Sequence, residues 1–582
     1  MILKPKKHLL LFLLFAYSMM LIMQGLDFGD AGWHLTAYEN IINYPEGVQY
    51  SFMYWLSCIL GHLWQLLNPS GGLFWSRLGM VFFFIATFLI YKIFFSVYSR
   101  DCSWVGELGL VYLFVFSGGH ESLNYDVFTM FFYAPALLFL FKGLTKNKIG
   151  LLFLFGLLLG INSFIKITNV TGLLFFTAIP FYAYLKNCNA TKWIKYTGSA
   201  LAGFFVAVLL IMGAMKLLEQ QHLFFDNLVF LRNMSGADES THGLRSLLIS
   251  YAVGYGKIAL LTTATIVVYF LVRNALVKKY QFLNTRLYKI FLTVLFLFFA
   301  FVSLKVGNPV WSKVRYVFLG LMIINGIITV ISKYSSKETR LFSLMGIILL
   351  VIAPLGSDTG LDKLLWGTWL LGPLILQRLK QGASLQHGKG KFSFQGSNEV
   401  YKIVTSILFI AFLTYAWNNT YNDPGSRLKK RYTVNHPKLK CIYTTQERAE
   451  VANEMLNEIQ KYVESGDTLL AFIELPMVHY LTNTRPYLST SWPKLLYSDK
   501  LFKEQLYCSA ERKTLPVVIR QKVNMGLTNW PENRMDNYTE YLNSSIKYRE
   551  HGIVLNQFIK VFHYTSVWQN STFEILVPQN EL

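Results

Sequence analysis

Cysteine and charged residues are both scarce in this chain. Its 582 residues include only 5 cysteines, and none of them forms a CxxC pair or a Cys/His cluster with metal-ligand spacing. A zinc centre built on thiolates is therefore not predicted. Cys441 and Cys508 both lie in the C-terminal part, where they either pair or stay separate thiols. Charged residues make up 15% of the chain and hydrophobic residues 53%, a composition that soluble proteins rarely have.

Long apolar runs are the main feature of the sequence. From Leu9 to Trp417 they recur at close to the ~20 residues that cross a ~30 Å hydrocarbon core, with short polar loops between them. The first run carries no Ala-x-Ala cleavage site, so we expect an uncleaved first span. Residues 1–417 are thus predicted to be an α-helical polytopic membrane domain with about thirteen transmembrane helices.

The composition changes to that of a soluble protein after Trp417. Gln446 to Val463 has a helical pattern, and the apolar stretch Thr468 to Ile473 is typical of a strand. Residues 418–582 are therefore predicted to form a soluble α/β domain.

The formal net charge of +21 is explained by where the basic residues lie. Lysine and arginine nearly balance aspartate and glutamate after residue 418, so the excess lies in short loops between apolar runs. The positive-inside rule accounts for such loops, and no nucleic-acid partner is predicted.

The same rule predicts a topology. Lys4, Lys6 and Lys7 place the N-terminus in the cytoplasm, whereas Asp27 to Tyr50 lacks basic residues and is expected outside. The run Ser51 to Leu67 has about the minimum length for spanning, but if it crossed, every later basic loop would face outward. We therefore predict a juxtamembrane helix there and a C-terminal domain outside the cytoplasmic membrane.

The segment after the first span concentrates groups that can do chemistry. Asp27, Asp30, His34 and Glu39 follow one another where the membrane meets the outside, with glycines between them that permit tight turns. A single such aspartate is commonly an interfacial residue, but several together favour a functional site.

This arrangement resembles the C-type (GT-C) superfamily of polytopic membrane glycosyltransferases. Protein O-mannosyltransferases and lipid A aminoarabinose transferases are the members whose architecture it looks like. In that family an acidic pair opens the first outer loop, and its Asp is the catalytic base. Asp30 matches that position, although Ala31 replaces the second acid and Asp27 lies upstream. The choice between Asp30 and Asp27 stays open, with Asp30 favoured as the base and a capping role for the helix from Ala31 as its rival.

Three further stretches are similar to family patterns. They are Gly160 to Gly172 between two spans, Lys313 to Tyr316 at the start of a late span, and Gly466 to Tyr487 in the soluble domain.

The resemblance implies a polyprenyl-phosphate sugar donor, whose departing phosphate needs cationic stabilisation. Outer-face candidates are Lys166, Lys305, Lys313 and Arg315, which depart from the positive-inside bias. For Lys305 and Lys313 the alternative is snorkelling to lipid phosphates.

A second outer loop contains His120, Glu121 and Asp126. With His34 and Glu39, these side chains are expected to line the site and orient the acceptor. Alternatively, His120, Glu121 and Asp126 would bind a divalent metal, although no cofactor is required by the proposed chemistry.

These observations predict an inverting glycosyltransferase that moves a sugar from a polyprenyl-phosphate donor to a glycan, lipid or protein acceptor at the outer face. Two other classes stay open. A transporter or flippase would use the same charges along a substrate path, but no repeated halves are found. A glycan-assembly protein without catalytic activity would not need the second acid of the pair, which Ala31 replaces.

Overall fold

The computed structural model describes residues 7–99, 104–117, 122–236, 244–279, 286–357, 360–381, 398–423, 425–496, 498–522, 530–531 and 549–579. It consists of a helical bundle followed by a small mixed sheet with its own helices. This is the predicted fold class, a helical polytopic protein with a C-terminal α/β unit.

The bundle is built from sixteen described helices, several of which are long and apolar. Within the described residues, seven helical segments are long and apolar enough to cross a membrane, and four shorter ones are apolar. The helices are α1 Lys7–Ile22, α2 Asp30–Asn43, α3 Trp55–Leu66, α4 Gly72–Tyr98, α5 Val105–Ser117, α6 Tyr125–Thr145, α7 Ile149–Ile165, α8 Ala178–Lys186, α9 Ala190–Leu217, α10 Gln221–Gly236, α11 Leu244–Lys279, α12 Arg286–Val306, α13 Asn308–Ile331, α14 Lys337–Ile352, α15 Leu371–Gln381 and α16 Asn398–Asn418.

The run predicted to lie along the membrane forms two short elements. A 3-10 segment covers Pro45–Tyr54, and α3 follows with 12 residues. At ~1.5 Å per residue, α3 is about 18 Å long, too short to cross ~30 Å of hydrocarbon. It packs on α2 instead, where a His62 ring nitrogen lies 2.7 Å from the Tyr38 carbonyl oxygen.

Glycine allows α7 and α9 to approach closely. A Cβ on Gly156 would lie 1.8 Å from the Ala200 carbonyl oxygen, and one on Gly203 would lie 2.0 Å from that of Phe153. Gly160 follows Gly156 at the four-residue spacing of a GxxxG pattern and faces Phe204. Close backbone packing of this kind is a main source of helix association where lipid removes the hydrophobic driving force.

The C-terminal unit has a five-stranded sheet in the order β4-β3-β5-β7-β6. β3 pairs in parallel with β4 and β5, whereas β7 is antiparallel to β5 and β6. The predicted helix and strand are present as α17 and β3. The elements are β1 Tyr432–Thr433, β2 Tyr443–Thr444, α17 Gln446–Ile459, β3 Thr468–Phe472, α18 Pro476–Thr482, β4 Arg485–Pro486, α19 Asp499–Ala510, β5 Val517–Gln521, α20 Arg549–Val561, β6 Tyr564–Gln569 and β7 Phe573–Pro578.

The C-terminal unit docks on α2, at one end of the bundle, which we call the sheet-side end. The Met477 N–H donates to the Phe28 carbonyl oxygen at 3.0 Å, and the Thr36 hydroxyl donates to that of Pro476 at 2.9 Å. A Cβ on Gly32 would lie 2.1 Å from the Met477 backbone nitrogen, so only glycine fits there. Cys441 and Cys508 are separate thiols in this unit.

Candidate active site

The loop between α1 and α2 is held in place by buried arginines. Arg77 donates to the carbonyl oxygens of Ile22 and Gly25, both at 2.8 Å. Arg427 donates to the Leu21 carbonyl oxygen at 3.2 Å. Because the carbonyl groups accept these charged donors, the loop is fixed from both the bundle and the C-terminal unit.

A buried carboxylate fastens the same loop to the C-terminal unit. Asp423 is fully buried and accepts from the Leu26 N–H at 2.9 Å and from the Thr444 hydroxyl at 2.7 Å. Arg448 also donates to Asp423. An ion pair that is buried and also hydrogen-bonded is costly to break from one side, so the loop is anchored firmly.

Asp27 caps α2 from the loop. Its carboxylate accepts from the Gly29 N–H at 2.9 Å, the Ala31 N–H at 2.8 Å and the Asn422 amide at 3.0 Å. Burial, and then the negative charge of Asp30, raise the pKa of Asp27 above its usual range. Asp27 therefore holds the start of the helix.

Asp30 lies in the first turn of α2 and does not cap it. The N-cap position belongs to Gly29, which has no side chain of its own to cap the helix. The Asp30 carboxylate accepts a hydrogen bond from the Tyr421 hydroxyl and is partly exposed. The rival interpretation, in which Asp30 caps the helix, does not fit these contacts, because the capping carboxylate is that of Asp27, upstream.

His34 lies one helical turn after Asp30 and is buried. Its ring centroid is 5.4 Å from that of Tyr125 and 5.0 Å from that of Trp33. Burial lowers the pKa of His34 to about 4, against an upward effect from the charges of Asp30 and Asp126 and a further downward effect from Lys363. The imidazole is thus neutral at pH 7. Charged side chains from three elements, Asp30, Asp126 and Lys363, lie close enough to influence its pKa.

Two lysines share one buried carboxylate next to His34. The Lys363 Nζ lies 2.6 Å from Asp126 Oδ2, and the Lys166 Nζ lies 3.6 Å from Asp126 Oδ1. Lys166 also lies over the Tyr125 ring, 5.0 Å from its centroid. All three charged side chains are nearly buried. We call Lys166, Asp126 and Lys363 the cation cluster.

Arg315 reaches the same region through the segment that carries Lys363. Its guanidinium lies 2.6 Å from the carboxylate of Asp362, the residue before Lys363 in the 3-10 segment Gly360–Gly367. Arg315 is buried, whereas the Asp362 side chain is 53% exposed. Arg315 is thus linked to the cation cluster through the 3-10 segment, in which Asp362 and Lys363 are adjacent.

Other predicted site residues lie elsewhere. Lys305 and Lys313 are exposed. Glu39 pairs with Lys438 at 2.5 Å, in the contact between α2 and the C-terminal unit, so it serves docking. His120 and Glu121 lie outside the described residues. Among the described residues, no three His, Cys, Asp or Glu side chains form a group that could hold a metal.

Aromatic rings surround His34, which lies one helical turn after Asp30. Tyr54 stacks on Tyr125 with centroids 4.0 Å apart, and Trp33 meets Tyr54 edge to face at 5.6 Å. Trp492, from the C-terminal unit, lies 6.2 Å from Trp33. Such rings offer apolar faces for contact with a bound molecule.

Lys363 and Tyr421 contact the candidate residues but were not predicted from the sequence. Lys363 could have been found, because it is a basic residue in a predicted outer loop, the same signal that selected Lys166. Tyr421 carried no signal, since a tyrosine just after a predicted span is ordinary.

Comparisons with known proteins give a likeness in structure only. No family model matches the chain, and no curated protein sequence matches it. The matching solved structures include the oligosaccharyltransferase of Archaeoglobus fulgidus in complex with Zn and sulfate, with a TM-score of 0.46 and 10% identity over 88% of this chain and 68% of that one. The same archaeal enzyme, AglB, with an inhibitory peptide and a dolichol-phosphate gives 0.45 and 10% over 98% and 74%. These scores are too low to transfer chemistry from the archaeal enzyme to this chain.

Proposed function

We propose that this protein is an inverting glycosyltransferase that uses a polyprenyl-phosphate sugar donor. The observation that supports it is one carboxylate and one cation cluster near the same neutral histidine. Asp30 has a carboxylate that is partly exposed and held by Tyr421. Lys166 and Lys363 supply positive charge around Asp126. Glycosyl transfer needs these two functions, a base and an anion-binding site.

In the proposed step, an acceptor hydroxyl oxygen attacks the anomeric carbon of the donor sugar. The bond between that carbon and the phosphate oxygen breaks, and its electron pair leaves with the polyprenyl phosphate. Asp30 takes the hydroxyl proton as general base. Because attack and departure occur on opposite faces of the anomeric carbon, the configuration inverts.

The cation cluster suits the charge change of this step. A phosphodiester donor has one negative charge. The departing phosphate monoester has a second ionisable oxygen, which is partly protonated near neutral pH. Lys166 and Lys363 place two positive charges beside the single negative charge of Asp126. Charge that develops in a partly buried site is stabilised more strongly than in water. A divalent metal at His120, Glu121 and Asp126 stays a prediction, and no step above needs it.

The proposed location is the outer face of the cytoplasmic (inner) membrane, with residues 1–417 in the membrane and 418–582 outside it. The basic loops support this orientation. Cysteines introduced near Gly71 and Asp423 should react with an impermeant reagent from outside, and labelling of either from the cytoplasm alone would contradict the topology.

The activity can be tested with purified protein in vesicles, given a polyprenyl-phosphate-linked radiolabelled hexose and a pool of lipid-linked glycan or protein acceptors. We expect release of free polyprenyl phosphate together with a labelled acceptor, and neither product with Asp30→Asn. Donor that crosses the bilayer with its sugar bond intact would instead show a flippase. Donor that binds but is not cleaved in the presence of any acceptor tested would show a non-catalytic assembly protein.

A further inference from the structure

A cavity lies at the end of the bundle opposite the candidate active site. α6 begins beside that site at Tyr125 and ends at Thr145, about 30 Å away at ~1.5 Å per residue. There the cavity opens between the end of α6, the end of α8 and the start of α9, with a volume of about 260 Å³. It therefore lies where apolar helices end, at the level of the lipid head groups.

The walls combine apolar, aromatic and basic side chains. Ile179 and Ala183 give an apolar side, and Tyr182, Trp193 and Tyr196 give aromatic rings. Lysine and aromatic residues at helix ends are typical of the membrane interface, where one end of the side chain is apolar and the other wet. The cavity thus has a polar part and an apolar part, as a lipid head group with its first acyl carbons does.

The turns that frame the cavity are fixed. Asn147 and Asn187 each adopt a left-handed backbone conformation at the end of a helix. The Tyr196 hydroxyl donates to the Asn147 side-chain oxygen at 3.1 Å, which ties the α6–α7 turn to α9. Lys192, one turn before Tyr196, lies over its ring at 5.8 Å from the centroid.

The charge around the cavity is positive. The sequence contains no acidic residue from Val127 to Leu218, although the two turns and the helix ends beside them hold six lysines. Lys186 is matched by Glu338, whose carboxylate lies 2.9 Å from its Nζ and also accepts from Tyr182. None of the ion pairs found among the described residues involves Lys192. One positive charge in the cavity wall is therefore unmatched.

We propose that this cavity binds the phosphate head group of an anionic membrane lipid, with Lys192 as its counter-ion. Basic residues are common in cytoplasmic loops, where they orient a membrane protein. That role alone does not require a cavity between the basic residues. A fixed amphipathic cavity with one unmatched cation at head-group depth is the form that specific lipid sites take. The site is independent of the proposed transfer reaction and lies at the other end of the molecule.

Cys188 makes the site testable, because it lines the cavity and is half-buried. Full-length protein is placed in nanodiscs of phosphatidylcholine, with or without phosphatidylglycerol, and labelled with a polar maleimide. The labelling rates of Cys188 and of the exposed Cys508 are read by peptide mass spectrometry. Phosphatidylglycerol should slow Cys188 about five-fold or more relative to Cys508.

Lys192→Gln should remove this protection, and Lys192→Arg should keep it. Lys195→Gln is the matched control, since it removes the same charge from an exposed position of α9 outside the cavity wall. Equal protection in both glutamine variants would show diffuse attraction and overturn the site, as would no protection in the native protein. Glycerol phosphate that protects Cys188 in pure phosphatidylcholine would assign the cavity to a water-soluble phosphate compound instead of a lipid.

Discussion

Tyr421 donates a hydrogen bond to the carboxylate of Asp30, although 391 positions separate the two in the chain. The next residue, Asn422, donates to Asp27 at 3.0 Å. Neighbouring residues at the start of the C-terminal unit thus bind the two candidate acids of the first loop. Burial, and then the negative charges of Asp30 and Asp27, raise the pKa of the Tyr421 hydroxyl well above its usual range. Tyr421 therefore stays protonated and remains a donor.

The first prediction separates the two acids. Asp30→Asn should leave the protein folded, because Asp27 and not Asp30 caps α2, while the transfer rate falls by about 10²-fold or more. Asp27→Asn keeps one acceptor oxygen for the cap but loses the other, so it should lower stability by about 1 kcal/mol with a smaller loss of rate. Turnover and thermal unfolding of both purified variants check this. Near-normal turnover by Asp30→Asn would move the base to Asp27.

The second prediction concerns Tyr421→Phe. The variant loses a donor that stabilises the ionised Asp30 carboxylate, so a greater fraction of that carboxylate is protonated at a given acidic pH. We expect the acid limb of the pH–rate profile to move to higher pH, while the rate on the plateau changes less. Tyr432→Phe, at an exposed site in β1, is the matched control. An unshifted acid limb in Tyr421→Phe would show that the hydroxyl only helps docking.

The third prediction ranks the lysines by their burial. Lys363→Gln should weaken donor binding by about 1.5–3 kcal/mol, because a hydrogen bond to a charged group is lost in a buried place. Lys313→Gln, an exposed lysine at the same end of the bundle, should bind donor as the native protein does. Donor titration by intrinsic tryptophan fluorescence measures both.

Loss of Lys363 also leaves Asp126 with one fewer partner, which can destabilise the fold. Lys363→Arg retains the charge and should restore most of the affinity. Equal donor affinity in Lys363→Gln and Lys313→Gln would remove the cation cluster from donor recognition.

The fourth prediction is a pH dependence of stability from His34. Its pKa is about 4 in the folded protein and about 6.5 when unfolded. The unfolded state therefore binds more protons between these values, so the contribution of His34 is complete above pH 6.5 and is lost as pH falls toward 4. The loss could reach about 3 kcal/mol.

Thermal unfolding at pH 7 and pH 4.5 tests this, with His34→Gln as the variant. The variant should lose less stability on acidification than the native protein. His479, whose pKa burial lowers to about 3, contributes in the same direction, so His479→Gln gives a comparison from the C-terminal unit. An unchanged difference between the two pH values in His34→Gln would contradict the prediction.

The sequence by itself determined the architecture and the neighbourhood of the site. Apolar runs of membrane length define the bundle helices, and the periodicity of Gln446 to Val463 gives α17, because both signals are local in the chain. The acids after the first span and Lys166 were also identifiable, since charges beside apolar runs are costly and stand out.

The tertiary structure alone decided the contacts and burial of each candidate residue. Asp27 became the cap and Asp30 the accessible carboxylate because the loop is held by Arg77, Arg427 and Asp423, each distant from it in sequence. Burial separated Arg315 from Lys313, two residues apart on α13. Lys363 and Tyr421 joined the site through contacts that cross hundreds of residues. A pattern of residue types carries no information on such contacts, because they arise only when separate helices and the C-terminal unit pack together.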